Sequence, residues 1–269
     1  MIGFLLKKTF FDIWDNAFRL ALLNIGFIAS VLIFPLIHRV LEELLPLFSA
    51  FSGVIPSAVS GALFFLGAIW CSIYLAAAAL CVKNISDYSV FDFKDFKRAL
   101  FAVYPCGIAY GVFFCVTAVL FIFVIPFYLL MNNPAGILIT SILFWTVVVS
   151  AAAFQYFFAV RARLAVKNAK IIKKCFLLFI DNPLFFIGTA CLTLIFLAIS
   201  AFIAFLLPGP AGAMLFLDEA LRLRLLKYDW LEKNAEAGRK YIPWDTVLAE
   251  EREKNKGRTI KNSIFPWKD

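Results

Sequence analysis

Long stretches without a charged residue constrain this chain more than any other feature of its sequence. Four such stretches cover residues 20–37, 44–82, 99–160 and 182–217. A helix needs about 20 apolar residues to cross the ~30 Å hydrocarbon core of a bilayer. We therefore expect each stretch to hold at least one transmembrane helix.

The composition agrees with a membrane setting. Hydrophobic residues make up 63% of the 269 positions and charged residues only 16%, and 32 residues are Phe. A globule of this size cannot bury so much apolar surface, whereas lipid accepts apolar side chains on every face of a helix. We therefore predict an all-α, polytopic transmembrane helix bundle.

Turn residues divide the charge-free stretches into single helices. Asn132-Asn-Pro-Ala-Gly136 has the residues of a tight turn, so a helix is expected on each side of it. Residues 46–57, rich in Ser, Gly and Pro, precede a single helix and are expected at the outer interface. The sequence thus predicts six spans, at about residues 20–37, 59–82, 101–130, 137–160, 183–207 and 210–227.

The sixth span is predicted from charge rather than from hydropathy. Pro208-Gly-Pro-Ala-Gly212 interrupts the last apolar stretch, and only a short apolar piece remains before Asp218. Cytoplasmic segments of membrane proteins are enriched in Lys and Arg. Six spans place 25 of the 26 Lys and Arg residues on one side and leave Arg39 on the other, whereas five spans give no bias. Both termini are therefore predicted to be cytoplasmic.

Three predicted cytoplasmic segments, at residues 2–19, 90–100 and 161–180, mix basic with apolar residues. This pattern is typical of short amphipathic helices that lie in the headgroup plane. Their bases are expected to orient the chain, and those of the third segment to face anionic lipid headgroups.

The composition changes after Trp230. Residues 1–230 form the predicted six-helix transmembrane domain, and residues 231–269 form a charged cytoplasmic tail. Asp245 is a favourable N-cap residue, so a short helix is expected at about residues 245–256.

The sequence lacks the usual signals of catalysis. It has no HExxH, GxSxG or Walker-type motif, its single His is His38, and its six Cys form no CxxC pair. The first five predicted helices carry no ionisable residue in their central thirds, which argues against an ion-coupled carrier. We therefore expect no enzyme activity, no catalytic residue, no metal or cofactor site and no nucleic-acid partner.

Three charged residues of the predicted sixth helix form the candidate functional or partner site. Asp218, Glu219 and Arg222 are expected within or just below the inner leaflet, where their spacing allows pairing within the helix. Two interpretations stay open for them: a site that grips a partner, and an interfacial salt bridge.

Asn24 and Gln155 are the candidate intramembrane polar contacts. Amides within transmembrane helices commonly form interhelical hydrogen bonds. We expect that structural role for both residues, with substrate binding as the alternative.

Several segments of the chain carry a family resemblance, the most specific being Phe93-Lys-Asp-Phe-Lys-Arg98; the others lie in residues 22–35, 62–80, 164–169 and 209–224. Over about residues 14–230 the chain resembles the YesL-like family of bacterial integral membrane proteins. This resemblance implies a six-helix, multi-pass protein of the bacterial cytoplasmic (inner) membrane. Its relatives have no known activity but are associated with carbohydrate uptake and ABC transport. No catalytic residue carries over, and residues 37–57 and the tail after Leu231 depart from the family pattern.

These observations predict a non-enzymatic integral membrane protein. It is expected to be an accessory or scaffold component of a membrane transport system, with an ABC-type transporter or another membrane protein as its partner. The alternative is a small-solute or lipid transporter, with a central cavity among Pro-kinked helices.

Overall fold

The computed structural model describes residues 2–44, 54–234 and 242–254, and this part of the chain is all-helical. Its helices are α1 (Ile2–Asp15), α2 (Ala17–Leu44), α3 (Val54–Ser86), α4 (Phe93–Val119), α5 (Ile125–Leu130), α6 (Pro134–Phe154), α7 (Phe157–Leu164), α8 (Asn168–Asp181), α9 (Pro183–Ala201), α10 (Gly209–Lys233), α11 (Trp244–Val247) and α12 (Ala249–Lys254). A π-helical turn, Leu120–Val124, joins α4 to α5. The predicted all-α class is confirmed.

Five helical segments in the described part of the chain are long and apolar enough to cross a membrane. They are Ala17–Leu41, Ala58–Ser86, Phe93–Leu130, Pro134–Leu164 and Pro183–Ala201. These segments contain the first four predicted spans and most of the fifth. The last of them ends at Ala201, where the prediction extended the helix to residue 207.

The predicted sixth span falls within α10, which differs from the other five. At 25 residues α10 is long enough to cross. However, it carries Asp218, Glu219, Arg222 and Arg224 in its central turns. With these four charged residues, α10 is less apolar than the five segments named above. Length and composition therefore support five crossings and do not by themselves make α10 a sixth.

Two predicted local elements also differ from the structure. Residues 93–100 are the first turns of α4 rather than a separate interfacial helix, because no Gly or Pro interrupts residues 93–104. The predicted tail helix consists of α11 and α12, and α11 begins at Trp244, so Asp245 lies in the first turn rather than at the N-cap. The predicted outer-interface stretch lies outside the described residues except for its last four positions.

The central helix of the bundle is α3. In the most apolar 18 residues of this helix, half of the positions are buried inside the protein. The same fraction is 11% in Phe93–Leu130 and in Pro134–Leu164. Because those two segments turn most of their surface outward, α3 is the helix on which the others pack.

The helices α4 and α3 approach each other closely at two glycines of α4. A Cβ atom at Gly107 would lie 2.4 Å from the Cα atom of Ile73, and one at Gly111 would lie 2.8 Å from the Cα atom of Ile69. Small residues four positions apart let two helix backbones pack closely in a membrane, where dispersion contacts replace the hydrophobic effect. The Gly107 and Gly111 pair therefore sets the α3–α4 distance.

Replacing Gly107 with Ala is expected to destabilise the protein, because the added methyl group meets the Ile73 backbone and the two helices must separate. Overpacking of this kind costs about 1–3 kcal/mol. Gly188→Ala in α9 is the matched control, since nothing lies within 4 Å of the added Cβ atom there. Thermal unfolding in detergent should show a lower midpoint for G107A than for G188A; equal midpoints would contradict the close packing.

Candidate functional site

Three charged residues of α10, Asp218, Glu219 and Arg222, lie where α1, α3 and α7 meet. We call this group the buried charge network. Its members come from five helices and from the turn after α3, and they are Lys8, Thr9, Asp12, Ser86, Asp87, Tyr88, Arg163, Asp218, Glu219, Arg222 and Glu251.

Glu219 connects α10 to α1. Its side chain is only 1% exposed, and one carboxylate oxygen lies 3.2 Å from Nζ of Lys8. The other oxygen accepts a hydrogen bond of 2.5 Å from Oγ1 of Thr9. Nζ of Lys8 also lies 2.5 Å from the carboxylate of Asp12, one helical turn further along α1. The buried ammonium group of Lys8 thus forms ion pairs with two buried carboxylates, those of Asp12 and Glu219.

The charge of Lys8 depends on these neighbours. Burial by itself would lower the pKa of Lys8, but the carboxylates of Glu219 and Asp12 outweigh burial and hold the pKa above its ordinary value. Lys8 is therefore protonated at neutral pH. The ring of Tyr88 adds a cation–π contact, with its centroid 4.7 Å from Nζ.

Asp218 connects α10 to α7 and α3 through a single arginine. Its carboxylate forms an ion pair with the guanidinium of Arg163. The same guanidinium donates to Oγ of Ser86 at 2.8 Å and to Asp87 at 3.2 Å. Burial alone would raise the pKa of Asp87, but the nearby arginines and Lys83 lower it below its ordinary value, so Asp87 is ionised.

Arg222 connects α10 to the tail. Its guanidinium donates to the carbonyl oxygen of Ser86, to Asp87 at 3.1 Å and to the carboxylate of Glu251 in α12. Glu251 in turn accepts a hydrogen bond of 2.8 Å from the hydroxyl group of Tyr88. The end of α3, α10 and the tail therefore meet at Arg222.

The predicted pairing of Asp218 and Glu219 with Arg222 inside one helix is wrong. Each of the three side chains pairs with a different part of the chain, because α10 is surrounded on several sides and reaches three other helices. The partners lie 211, 55 and 29 residues away in sequence. The sequence contained one signal of the network, the four-residue spacing of Lys8 and Asp12.

A small cavity borders the network. It has a volume of about 10 Å³ and lies among Phe4, Lys8, Glu219, Arg222 and Glu251. A single water molecule needs about 10–15 Å³ of such volume, so this cavity is at most the size of one water molecule. The contacts of the network can hold helices together and fix the positions of charges.

The two predicted polar contacts each join separate helices. The amide of Asn24 in α2 donates to the carbonyl oxygens of Leu206 and Pro208 at 2.9 and 3.0 Å and accepts from the backbone N–H of Ala211 at 2.8 Å. These bonds satisfy the irregular backbone between α9 and α10 inside the protein, as a membrane requires. Gln155, at the junction of α6 and α7, donates to the carbonyl oxygen of Phe186 in α9 at 2.8 Å.

His38 lies away from the network, toward the C-terminal end of α2. Its Nε2 is 2.6 Å from Oγ of Ser60 in α3. The two residues border an open groove of about 570 Å³ between α2 and α3, whose other lining residues are apolar or small.

Comparison with known protein families, curated protein sequences and solved structures finds no match to the chain. The resemblance to the YesL-like family therefore stays a prediction, and the site must be interpreted from its own geometry.

Lys8→Met is expected to destabilise the protein strongly, because it leaves the buried carboxylates of Asp12 and Glu219 without their shared cation. Breaking a buried ion pair by removing one partner costs about 3–5 kcal/mol. Lys7→Met is the matched control, since Lys7 is the exposed neighbour in the same helix, and surface substitutions change stability by about 0.5 kcal/mol or less. Unfolding in mixed micelles should separate K8M from K7M; similar curves for both would contradict a structural role of the network.

Proposed function

We propose that this protein is a non-enzymatic integral membrane protein that acts as an accessory or scaffold component of a membrane transport system. The observation that carries the proposal is the docking of the tail on the helix bundle through the buried charge network. The resemblance to the YesL-like family adds the bacterial cytoplasmic membrane as its location and a carbohydrate-uptake or other ABC-type transporter as its partner.

Contacts within the network support six crossings with both termini in the cytoplasm. Lys8 precedes the first span and Glu251 follows α10, yet both contact α10 within one turn of each other, at Glu219 and Arg222. Segments that meet at one cluster lie at the same end of the bundle. These contacts support our proposal of an even number of crossings, with α10 as the sixth, and the Lys and Arg bias favours the cytoplasm for that end.

The docked tail forms a protein surface on this side. Leu248 between α11 and α12 is fully buried in the core, and Trp244 packs against the same core. Glu251 is fixed by Arg222 and Tyr88. The tail helices α11 and α12 therefore form one face together with the charged ends of the helices, which suits a protein that holds a partner better than one that moves a substrate.

The helix α8 fits the headgroup plane of the same leaflet. Its residues Ile171 and Cys175 are buried against the bundle, whereas Lys170, Lys173 and the apolar Ile180 are exposed. A helix with one buried face and a mixed basic and apolar outer face is typical of the interface of a membrane with anionic lipids. We propose that α8 lies there as an amphipathic cytoplasmic helix.

The alternative function, a small-solute or lipid transporter, rests on the groove between α2 and α3. Its volume of about 570 Å³ would accept a small molecule or an acyl chain. His38 and Ser60 are polar groups at its border, but they bond to each other. A groove with so few polar groups suits lipid contact better than solute recognition, so we prefer the accessory function.

Affinity purification in mild detergent tests the accessory function. The full-length protein is expected to retain a membrane-protein partner in a stoichiometric amount, and deletion of residues 245–269 is expected to abolish this association while leaving the protein in the membrane. Glu251→Gln should weaken the association, because it removes the negative charge that pairs α12 with Arg222.

Glu250→Gln is the control for this experiment, since Glu250 is the exposed neighbour of Glu251 in the same short helix. It should retain the partner as the unmodified protein does. If the full-length protein retains no stoichiometric partner, or if deletion of the tail leaves the association intact, the accessory function in this form is wrong.

A further inference from the structure

A second cationic group on α10, Arg224, lies outside the buried charge network. Only 8% of the residue is exposed, and its Nε atom is buried without a hydrogen-bond partner. Within the described residues its guanidinium forms no hydrogen bond or ion pair. Burying the Nε–H group of an arginine without an acceptor is costly, because this donor loses water and receives no hydrogen bond in return.

The guanidinium of Arg224 is directed at the first turn of α9. Its Cζ atom lies 3.7 Å from the ring centroid of Phe185, the third residue of that helix. The N-cap residue Asn182 makes no side-chain capping hydrogen bond to α9. The guanidinium thus stacks on a residue of the first turn of this 19-residue helix, whose first backbone N–H groups and positive dipole end receive no side-chain cap.

The polar groups near this point are engaged elsewhere. The carboxylate of Asp181 accepts hydrogen bonds from the hydroxyl group of Tyr228 at 2.5 Å and from the amide of Asn182 at 2.6 Å. The amide of Asn182 also donates to the hydroxyl group of Tyr228 at 3.0 Å. Asp181 therefore lowers the local positive potential but does not occupy the donors of Arg224.

The rim of this region is strongly apolar and faces outward. Leu184, in the first turn of α9, is 85% exposed, and Ile180, in the last turn of α8, is 71% exposed. In a membrane protein such side chains contact acyl chains. An anion that reaches Arg224 from this side would therefore come with hydrocarbon attached.

We propose that Arg224 and the N-terminus of α9 form a binding site for the phosphate group of a phospholipid. The guanidinium supplies paired N–H donors that match two phosphate oxygens, and the helix N-terminus supplies further donors. Leu184 and Ile180 contact the acyl chains. The inference rests on the proposed membrane location but not on the proposed partner, so failure of the co-purification experiment leaves it standing.

Native mass spectrometry of the full-length protein in detergent tests the site with defined probes. Phosphatidylglycerol and phosphatidylethanolamine carry the phosphate with different headgroups, diacylglycerol carries the same acyl chains without phosphate, and inorganic phosphate carries no chains. The protein is expected to bind one molecule of either phospholipid about tenfold or more tightly than diacylglycerol, which corresponds to a charge-assisted hydrogen bond.

Arg224→Gln is expected to reduce phospholipid binding to the level of diacylglycerol, and Arg224→Lys, which keeps the charge without the paired donors, to an intermediate level. Arg252→Gln is the control, since Arg252 is an exposed arginine in the tail helix α12, and this variant should bind as the unmodified protein does. A thermal unfolding curve for each variant shows whether reduced binding reflects loss of the site or loss of the fold. If R224Q does not fold, the binding of R224K still tests the site.

Three results would overturn the proposal. Diacylglycerol could bind as tightly as the phospholipids, which would make the contact purely apolar. R224K and R224Q could both keep the preference for phospholipid, which would place the phosphate elsewhere. Inorganic phosphate could bind while no phospholipid does, which would make the site one for a soluble anion.

Discussion

The burial of a charged helix among apolar ones is the constraint on which the rest of this structure depends. α10 carries two acidic and two basic residues in less than two turns, and three of these four side chains are buried. Each ionised group in a medium of low polarity must be paired, or it destabilises the fold by several kcal/mol. The positions of α1, α7 and the tail follow from this requirement, because these segments supply Lys8, Arg163 and Glu251.

This arrangement also explains why irregular backbone is tolerated between α9 and α10. The segment that joins them lies against α2, where the amide of Asn24 supplies both donors and an acceptor to its backbone. In lipid such a break would leave several peptide groups without hydrogen bonds, whereas inside a protein they can be satisfied. The side-chain amide of Asn24 thus binds the start of α10, and ion pairs to Lys8 and Arg163 hold its centre.

The sequence predicted well whatever depends on local composition. The charge-free stretches located the five apolar helices. The predicted turn precedes α6, where the side chain of Asn133 caps the helix by accepting from the N–H of Gly136. Contacts between distant segments could not be predicted in the same way. Nothing in the sequence around Glu219 indicates that its partner is Lys8. Nor does the sequence around Gly107 indicate that this residue packs against Ile73 of α3. When oppositely charged residues lie far apart in sequence, many pairings are possible, and residue spacing alone does not identify the pair that forms.

We infer that α10 returns the chain to the side of the membrane on which it began. Reporter fusions in cells measure this most directly, with alkaline phosphatase and a fluorescent protein each placed after Asn132 and after Asp269. The account predicts that phosphatase is active after Asn132 and inactive after Asp269, and that fluorescence shows the reverse. Active phosphatase after Asp269 would place the tail outside the cell membrane, and it would contradict a tail that meets α1 at the buried charge network.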